Sequence, residues 1–275
     1  MTAKGTSIRT IRAKKKRGER IVALTAYDYT TALLEEKAGI DLILVGDSYS
    51  MTVMGDKTTL TASLEHLLAI TRAVVKGAPD TLVIGDMPFG SYECSDAQAI
   101  QTAVRFLSEG GAGAVKLEGG NERSASRVKA IVDSGIPVMG HTGLLPQSVR
   151  QTGGFRVVYS DQRDRILSES VSLQEAGAFS IVLEGIEEEL AREISQTLEI
   201  PTIGIGAGRF TDGQILVVND MLGLTQDFEP RFVRKYADLG VKILEAVREY
   251  ADDVRNGSFP GEEHVYTGSS RVEEK

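Results

Sequence analysis

The chain has 275 residues, 41% of them hydrophobic and 25% charged, with 29 glycines; this is globular composition rich in tight turns and excludes a disordered or fibrous polymer. A formal charge of −8 at pH 7 offers no basic field to a phosphate backbone, so nucleic acid is not an expected partner. The single cysteine, Cys94, excludes an internal disulfide framework and a multi-cysteine zinc site, and no apolar run reaches the roughly 18 residues of a membrane span, so a cytoplasmic protein with no membrane partner is expected.

In chain order, Lys14-Lys15-Lys16-Arg17 come first and read as the solvated face of an early helix, within a segment 1–20 that caps the bottom of the fold. Eight short apolar runs follow, bounded by glycine, proline or acid: Ile21 to Thr25, Leu42 to Val45, Leu82 to Ile84, Ala114 to Leu117, Pro137 to Met139, Ser180 to Leu183, Thr202 to Ile205 and Ile215 to Val218. Their near-continuous Val, Ile and Leu content is that of parallel strands buried on both faces. Helical patterns separate them. Leu64, Leu67, Leu68, Val74 and Val75 form one apolar stripe, Ser95 with Gln98 is a capping-box pattern, and Glu187 to Glu189 put acid into the first turn of a later helix.

Eight strands alternating with helices favour a closed α/β barrel of the TIM (β/α)8 kind over an open sheet, because closure leaves no strand edge unprotected. One domain is expected over 1–275, with the barrel at about 21–255, an extension at 256–275 and a loose polar tail from Gly268 to Lys275.

Such barrels build their active sites at the carboxyl ends of the strands, and here the strand ends are polar: Tyr27 and Asp28, Asp47 and Ser48, Asp86, Lys116 and Glu118, His141, Glu184, Gly206 to Gly208, and Asn219 with Asp220. Asp47 and Asp86 each follow a glycine that could bring backbone close to a ligand, and with Glu118 they make an all-oxygen set suited to Mg²⁺; capping of the next helix is the competing reading for each aspartate. Lys116 and Glu118 leave their strand on the same side, so the lysine either neutralises developing substrate charge or forms an ion pair with Glu118. Glu184 is the candidate general base, a desolvated carboxyl at a strand end, unless it only serves a helix dipole. His141 is either a structural donor or a participant in the chemistry. The glycines of Gly204-Ile205-Gly206-Ala207-Gly208 lack dinucleotide-loop spacing and read as a carboxylate cradle or a plain tight turn.

Several dispersed motifs, in order, resemble the ketopantoate hydroxymethyltransferase family from about Ile21 to Tyr266. They include Thr25-Ala-Tyr-Asp-Tyr29, Val45-Gly-Asp-Ser48, Gly85-Asp-Met-Pro-Phe89, Val115-Lys-Leu-Glu-Gly119, Gly140-His141, Pro146-Gln-Ser-Val149, Leu183-Glu184 and Ile200-Pro-Thr-Ile-Gly-Ile-Gly-Ala-Gly208. The resemblance implies a barrel of the phosphoenolpyruvate/pyruvate type that transfers a hydroxymethyl group from 5,10-methylenetetrahydrofolate, or a modified pterin, to 3-methyl-2-oxobutanoate. It implies one Mg²⁺ per subunit at Asp47 and Asp86 with Glu118, substrate contacts at Tyr27, Asp47, Ser48, Asp86, Lys116 and His141, the base at Glu184, and a homo-oligomer, a decamer in many members. Tyr49-Ser50, Asp56 and the loop from Phe155 to Asp161 depart from the family pattern. The alternative is a metal-dependent C–C lyase or mutase acting on a 2-oxo acid, which would make its enolate with the same carboxylates; such lyases often use a loop cysteine, for which Cys94 is the candidate.

Overall fold

A computed structural model describes residues 5–225 and 230–266, so the expected tail from Gly268 to Lys275 lies outside the described residues. The strands are β1 (Ile21–Thr25), β2 (Leu42–Val45), β3 (Leu82–Asp86), β4 (Ala114–Lys116), β5 (Val138–Gly143), β6 (Ser180–Glu184), β7 (Thr202–Ile205) and β8 (Gly213–Leu216). All pairings are parallel, and β1 pairs with β8, closing the barrel in sequence order. The helices are α1 (Ile8–Arg17), α2 (Tyr29–Ala38), α3 (Tyr49–Thr52), α4 (Leu64–Gly77), α5 (Asp96–Ser108), α6 (Glu122–Asp133), α7 (Val149–Thr152), α8 (Arg163–Glu175), α9 (Glu188–Thr197), α10 (Val218–Met221) and α11 (Leu239–Asn256).

Every expected apolar run falls on a strand; the bounds coincide at β1, β2 and β7 and shift by one or two residues at β3, β4 and β6, and two further differences are instructive. β5 runs four residues beyond hydrophobic Met139, because Gly140, His141, Thr142 and Gly143 keep pairing with Ile181, Val182, Leu183 and Glu184 of β6. Polarity does not end a strand whose neighbour continues. β8 starts two residues early, at Gly213, where a Cβ would stand 2.5 Å from the Ile21 carbonyl oxygen; only glycine lets β8 approach β1 there. The apolar stripe of α4 buries Leu67, Leu68 and Val74. The capping pattern before α5 is half formed: Ser95 Oγ accepts from Gln98 N at 3.1 Å, while the Gln98 side chain serves Cys94 N and Gly90 O instead.

Inside the barrel, alternate residues of successive strands make the core, among them Ile21, Leu42, Ile84, Met139, Val182 and Ile203. Below them α1 closes the bottom with fully buried Ile11. The expected solvated basic face is only half right. Lys16 and Arg17 are exposed, but Lys14 reaches Asp41 at 2.5 Å and Lys15 reaches Asp212 at 2.8 Å, since those acids precede β2 and β8 at the end that α1 covers.

Two compact units emerge from the backbone contacts: the barrel, 5–218 with 230–233, and a second unit, 219–225 with 234–266 among the described residues. In the second unit α11 ends on Gly257 in the left-handed conformation, and Tyr250, Phe259 and His264 stack their rings in succession. Ile243, Leu244, Val247, Tyr250 and Val254 of α11 are all exposed.

Candidate active site

Strand periodicity builds the site. Core residues Ile84, Ala114, Met139 and Val182 point inward, so the residues two positions on, Asp86, Lys116, His141 and Glu184, point inward as well and form the top layer of the same interior. Glu118 follows Lys116 by the same step and is buried. Asp47 arrives differently: past Gly46 the chain turns, and the Asp47 backbone N–H donates to Asp86 Oδ2 at 3.1 Å. The two glycines expected to bring backbone toward a ligand each meet a close neighbour within the protein. A Cβ at Gly85 would lie 2.3 Å from the Phe106 ring, so this glycine admits α5, and a Cβ at Gly46 would lie 2.7 Å from the Ser48 hydroxyl oxygen.

Lys116 Nζ sits 2.6 Å from Asp86 Oδ1, so the lysine's ion-pair partner is Asp86 rather than Glu118. Burial alone would lower the Lys116 ammonium, but Asp86, Glu118 and Asp47 around it hold it above the ordinary lysine range. The carboxyls feel the opposite pressure. Burial, then the charge of Asp86, pushes Asp47 up to about 7, and burial raises Glu118 well above the usual carboxylate range. His141 is buried, with Nε2 3.3 Å from Glu184 Oε2 and Nδ1 3.7 Å from Glu118 Oε1, and neither nitrogen makes a hydrogen bond of good geometry. Burial holds this imidazole below its usual range. Glu184 is the least enclosed member, its side chain 20% exposed at the mouth. Tyr27 and Ser48 hydroxyls lie 2.8 Å apart.

Asp28 caps α2, accepting from Thr31 N at 2.8 Å, and stays outside the cluster. Gly206 and Gly208 adopt left-handed backbone where Cβ atoms would strike Phe232 and Glu188, which is tight-turn geometry. Among the departures from the family pattern, the Tyr49 hydroxyl accepts from Ser63 N at 2.7 Å, Ser50 Oγ donates to the Asp47 carbonyl at 2.9 Å, and Asp56 accepts from Thr61 Oγ1 at 2.6 Å. Two participants escaped the strand-end reading because loops carry them: Gln147, in the 3-10 turn Pro146–Ser148, donates to Asp47 Oδ2 at 2.9 Å, and Tyr92 donates to Gln147 Oε1 at 2.6 Å. The Pro146-Gln-Ser-Val149 motif was the available signal for the first.

Asp47, Asp86 and Glu118 thus face one ammonium, with Glu184 nearby beside His141, a surplus of hard oxygen donors in a low-dielectric cup, and this fits a divalent cation. Among the described residues no three His, Cys, Asp or Glu side chains are drawn into a ready-made metal-binding group. The expected set of Asp47, Asp86 and Glu118 is therefore not gathered around one point by protein side chains alone.

The family model for ketopantoate hydroxymethyltransferase matches residues 5–262. The chain belongs to that family. A 3-methyl-2-oxobutanoate hydroxymethyltransferase of Syntrophus aciditrophicus is 50% identical over 268 residues, covering 96% of this chain and 98% of the relative. One from Desulforapulum autotrophicum is 52% identical over 254 residues, covering 92% and 95%. Among solved structures, phosphonopyruvate hydrolase in complex with oxalate and Mg²⁺ aligns with a TM-score of 0.62 at 14% identity, covering 96% of this chain and 92% of that one. A 2,3-dimethylmalate lyase of the PEP mutase/isocitrate lyase superfamily aligns with a TM-score of 0.61 at 19% identity, covering 94% and 92%. At such identities these two establish the barrel fold. No helix among the described residues is long and apolar enough to cross a membrane.

Proposed function

We propose that the protein transfers a hydroxymethyl group from 5,10-methylenetetrahydrofolate, or a modified pterin, to 3-methyl-2-oxobutanoate, giving 2-dehydropantoate. The observation that carries this reading is the inward-facing top layer of the barrel, where Asp47, Asp86 and Glu118 surround Lys116 and the more open Glu184 stands beside His141. Relatives of about this length that bear the hydroxymethyltransferase name support it.

A divalent cation, Mg²⁺ for preference and one per subunit, would be held by Asp47 and Asp86 with Glu118, and when bound it supplies Lewis-acid polarisation of the keto group. The chain's own residues do the rest. Tyr27, Ser48 and Lys116 bind and orient the oxo acid, and the Lys116 ammonium offsets negative charge on its carboxylate or on the developing enolate oxygen. Glu184 takes the proton from C3, the carbon beside the keto group, with His141 steering the carboxyl from 3.3 Å. The enolate carbon then forms its C–C bond to the folate methylene while the methylene's bonds to folate nitrogen break. Water supplies the new hydroxyl, so oxo acid, methylene carrier and water balance hydroxymethyl product and free carrier.

The apolar exposed face of α11 supports a homo-oligomer, for which a decameric ring is the arrangement the resemblance implies. The lone, exposed Cys94 fits a reducing, cytoplasmic setting. The lyase or mutase reading shares the fold, and product analysis separates the two. Purified protein with Mg²⁺ and 3-methyl-2-oxobutanoate should form 2-dehydropantoate only when a methylene-folate donor is added, whereas breakdown of the oxo acid without donor would favour the lyase.

A further inference from the structure

The segment Pro146-Gln147-Ser148-Val149 has no part in the chemistry above, yet its glutamine is one of the best-satisfied side chains in the barrel. Gln147 is 6% exposed although it belongs to a loop at the mouth. Its Nε2 donates to Asp47 Oδ2 at 2.9 Å and to the Met87 carbonyl at 3.1 Å, and its Oε1 accepts from the Tyr92 hydroxyl at 2.6 Å. Its backbone N–H donates to Glu118 Oε2 at 3.0 Å. Tyr92 in turn accepts from the Glu118 backbone N–H at 3.3 Å, so the hydrogen bonds run from Glu118 through Tyr92 and Gln147 back to the Glu118 carboxyl.

This circuit has one sense. Turning the amide over would set its oxygen against the Asp47 carboxyl and the Met87 carbonyl, losing both bonds that its amino group makes, and would force the Tyr92 hydroxyl from donor to acceptor. Tyr92 is itself anchored. Arg127 Nε donates to its carbonyl at 3.2 Å, and Thr102 Oγ1 donates to the neighbouring Ser91 carbonyl at 2.6 Å. A single residue after β5 therefore ties down carboxyls that arrive from β2 and β4, through one oxygen of each, and leaves Glu118 Oε1 3.7 Å from His141 Nδ1.

We propose that Gln147, backed by Tyr92, is a positioning residue that holds Asp47 and Glu118 as one oxygen face for the divalent cation. The inference rests on the cation reading above and deepens it, because it makes the loop after β5 part of the cation site. Partners of this kind, which touch ligands rather than metal, change affinity by roughly 10–100-fold when removed.

The test is Mn²⁺ binding to the full-length protein without substrate, followed by electron paramagnetic resonance of the free ion, for the unaltered chain, Gln147→Met, Tyr92→Phe and the double variant. Methionine keeps the volume of glutamine and removes its hydrogen bonds. Gln147→Met should lose affinity about 10- to 100-fold and Tyr92→Phe several-fold, and the double variant should bind no more weakly than Gln147→Met. Excess Mg²⁺ should restore kcat. Unaltered Mn²⁺ affinity in Gln147→Met overturns the proposal; if that variant does not fold, unaltered affinity in Tyr92→Phe overturns it instead. An unaltered chain that binds no Mn²⁺ overturns the cation reading and this inference together, whereas binding that neither substitution disturbs overturns the positioning role alone.

Discussion

Glu35 on α2 is buried, and neither of its carboxyl oxygens has a hydrogen-bond partner. Burial, then the charge of Asp28, pushes it up to about 8. An unfolded glutamate titrates near 4.3, so the folded state binds this proton more tightly. The resulting stabilisation is complete below about pH 4 and is lost as pH rises through about 8. Glu35→Gln should therefore melt close to the unaltered protein at pH 5 and several degrees above it at pH 9, as calorimetry or circular dichroism would record. A constant difference across that range would mean that Glu35 titrates normally. At this scale the inward residues Asp86, Lys116, His141 and Glu184 were legible because period two carries the core pattern into the site. The partner of Lys116 was not, since only three-dimensional register puts Asp86 opposite it. Gln147 and Tyr92 were not legible either, because their loops follow no repeat that fixes where a side chain points.

Elements were legible where the strand stops with its apolar run, as in β1, β2 and β7, whose ends coincide with the hydrophobic runs. They were less so where pairing continues through polar residues, as in β5, or where a glycine permits close approach, as at the start of β8. Gly85 illustrates packing that composition hides: on β3 it faces outward and receives the Phe106 ring of α5. Gly85→Ala should cost about 1–3 kcal/mol of stability through overpacking. Phe106→Leu placed in the Gly85→Ala background should recover part of that loss in denaturant titrations, and purely additive losses would contradict the steric account. The basic segment of α1 teaches the reverse lesson: a run that composition assigns to solvent supplies two partly buried ion pairs, because the acids it meets lie far away in sequence.

For the whole molecule, eight apolar runs and their order were enough to argue closure, which β1–β8 pairing completes. Assembly is a separate question, and α11 bears on it. Glutamate at Val247, in the middle of the exposed apolar face, should reduce the assembly's mass in solution while far-ultraviolet circular dichroism stays constant, as light scattering coupled to size exclusion would report. An unchanged mass would remove α11 from the interface. Central to the whole account is the claim that acids from separate strands act on one bound oxo acid, with Glu184 as its base. Proton exchange at C3 of 3-methyl-2-oxobutanoate, followed by NMR in deuterated buffer without folate, tests it most directly. The account predicts rapid exchange with Mg²⁺, loss of exchange in Glu184→Gln with Mn²⁺ binding retained, and weakening of both exchange and binding in Asp86→Ala. Exchange at the unaltered rate in Glu184→Gln would contradict it.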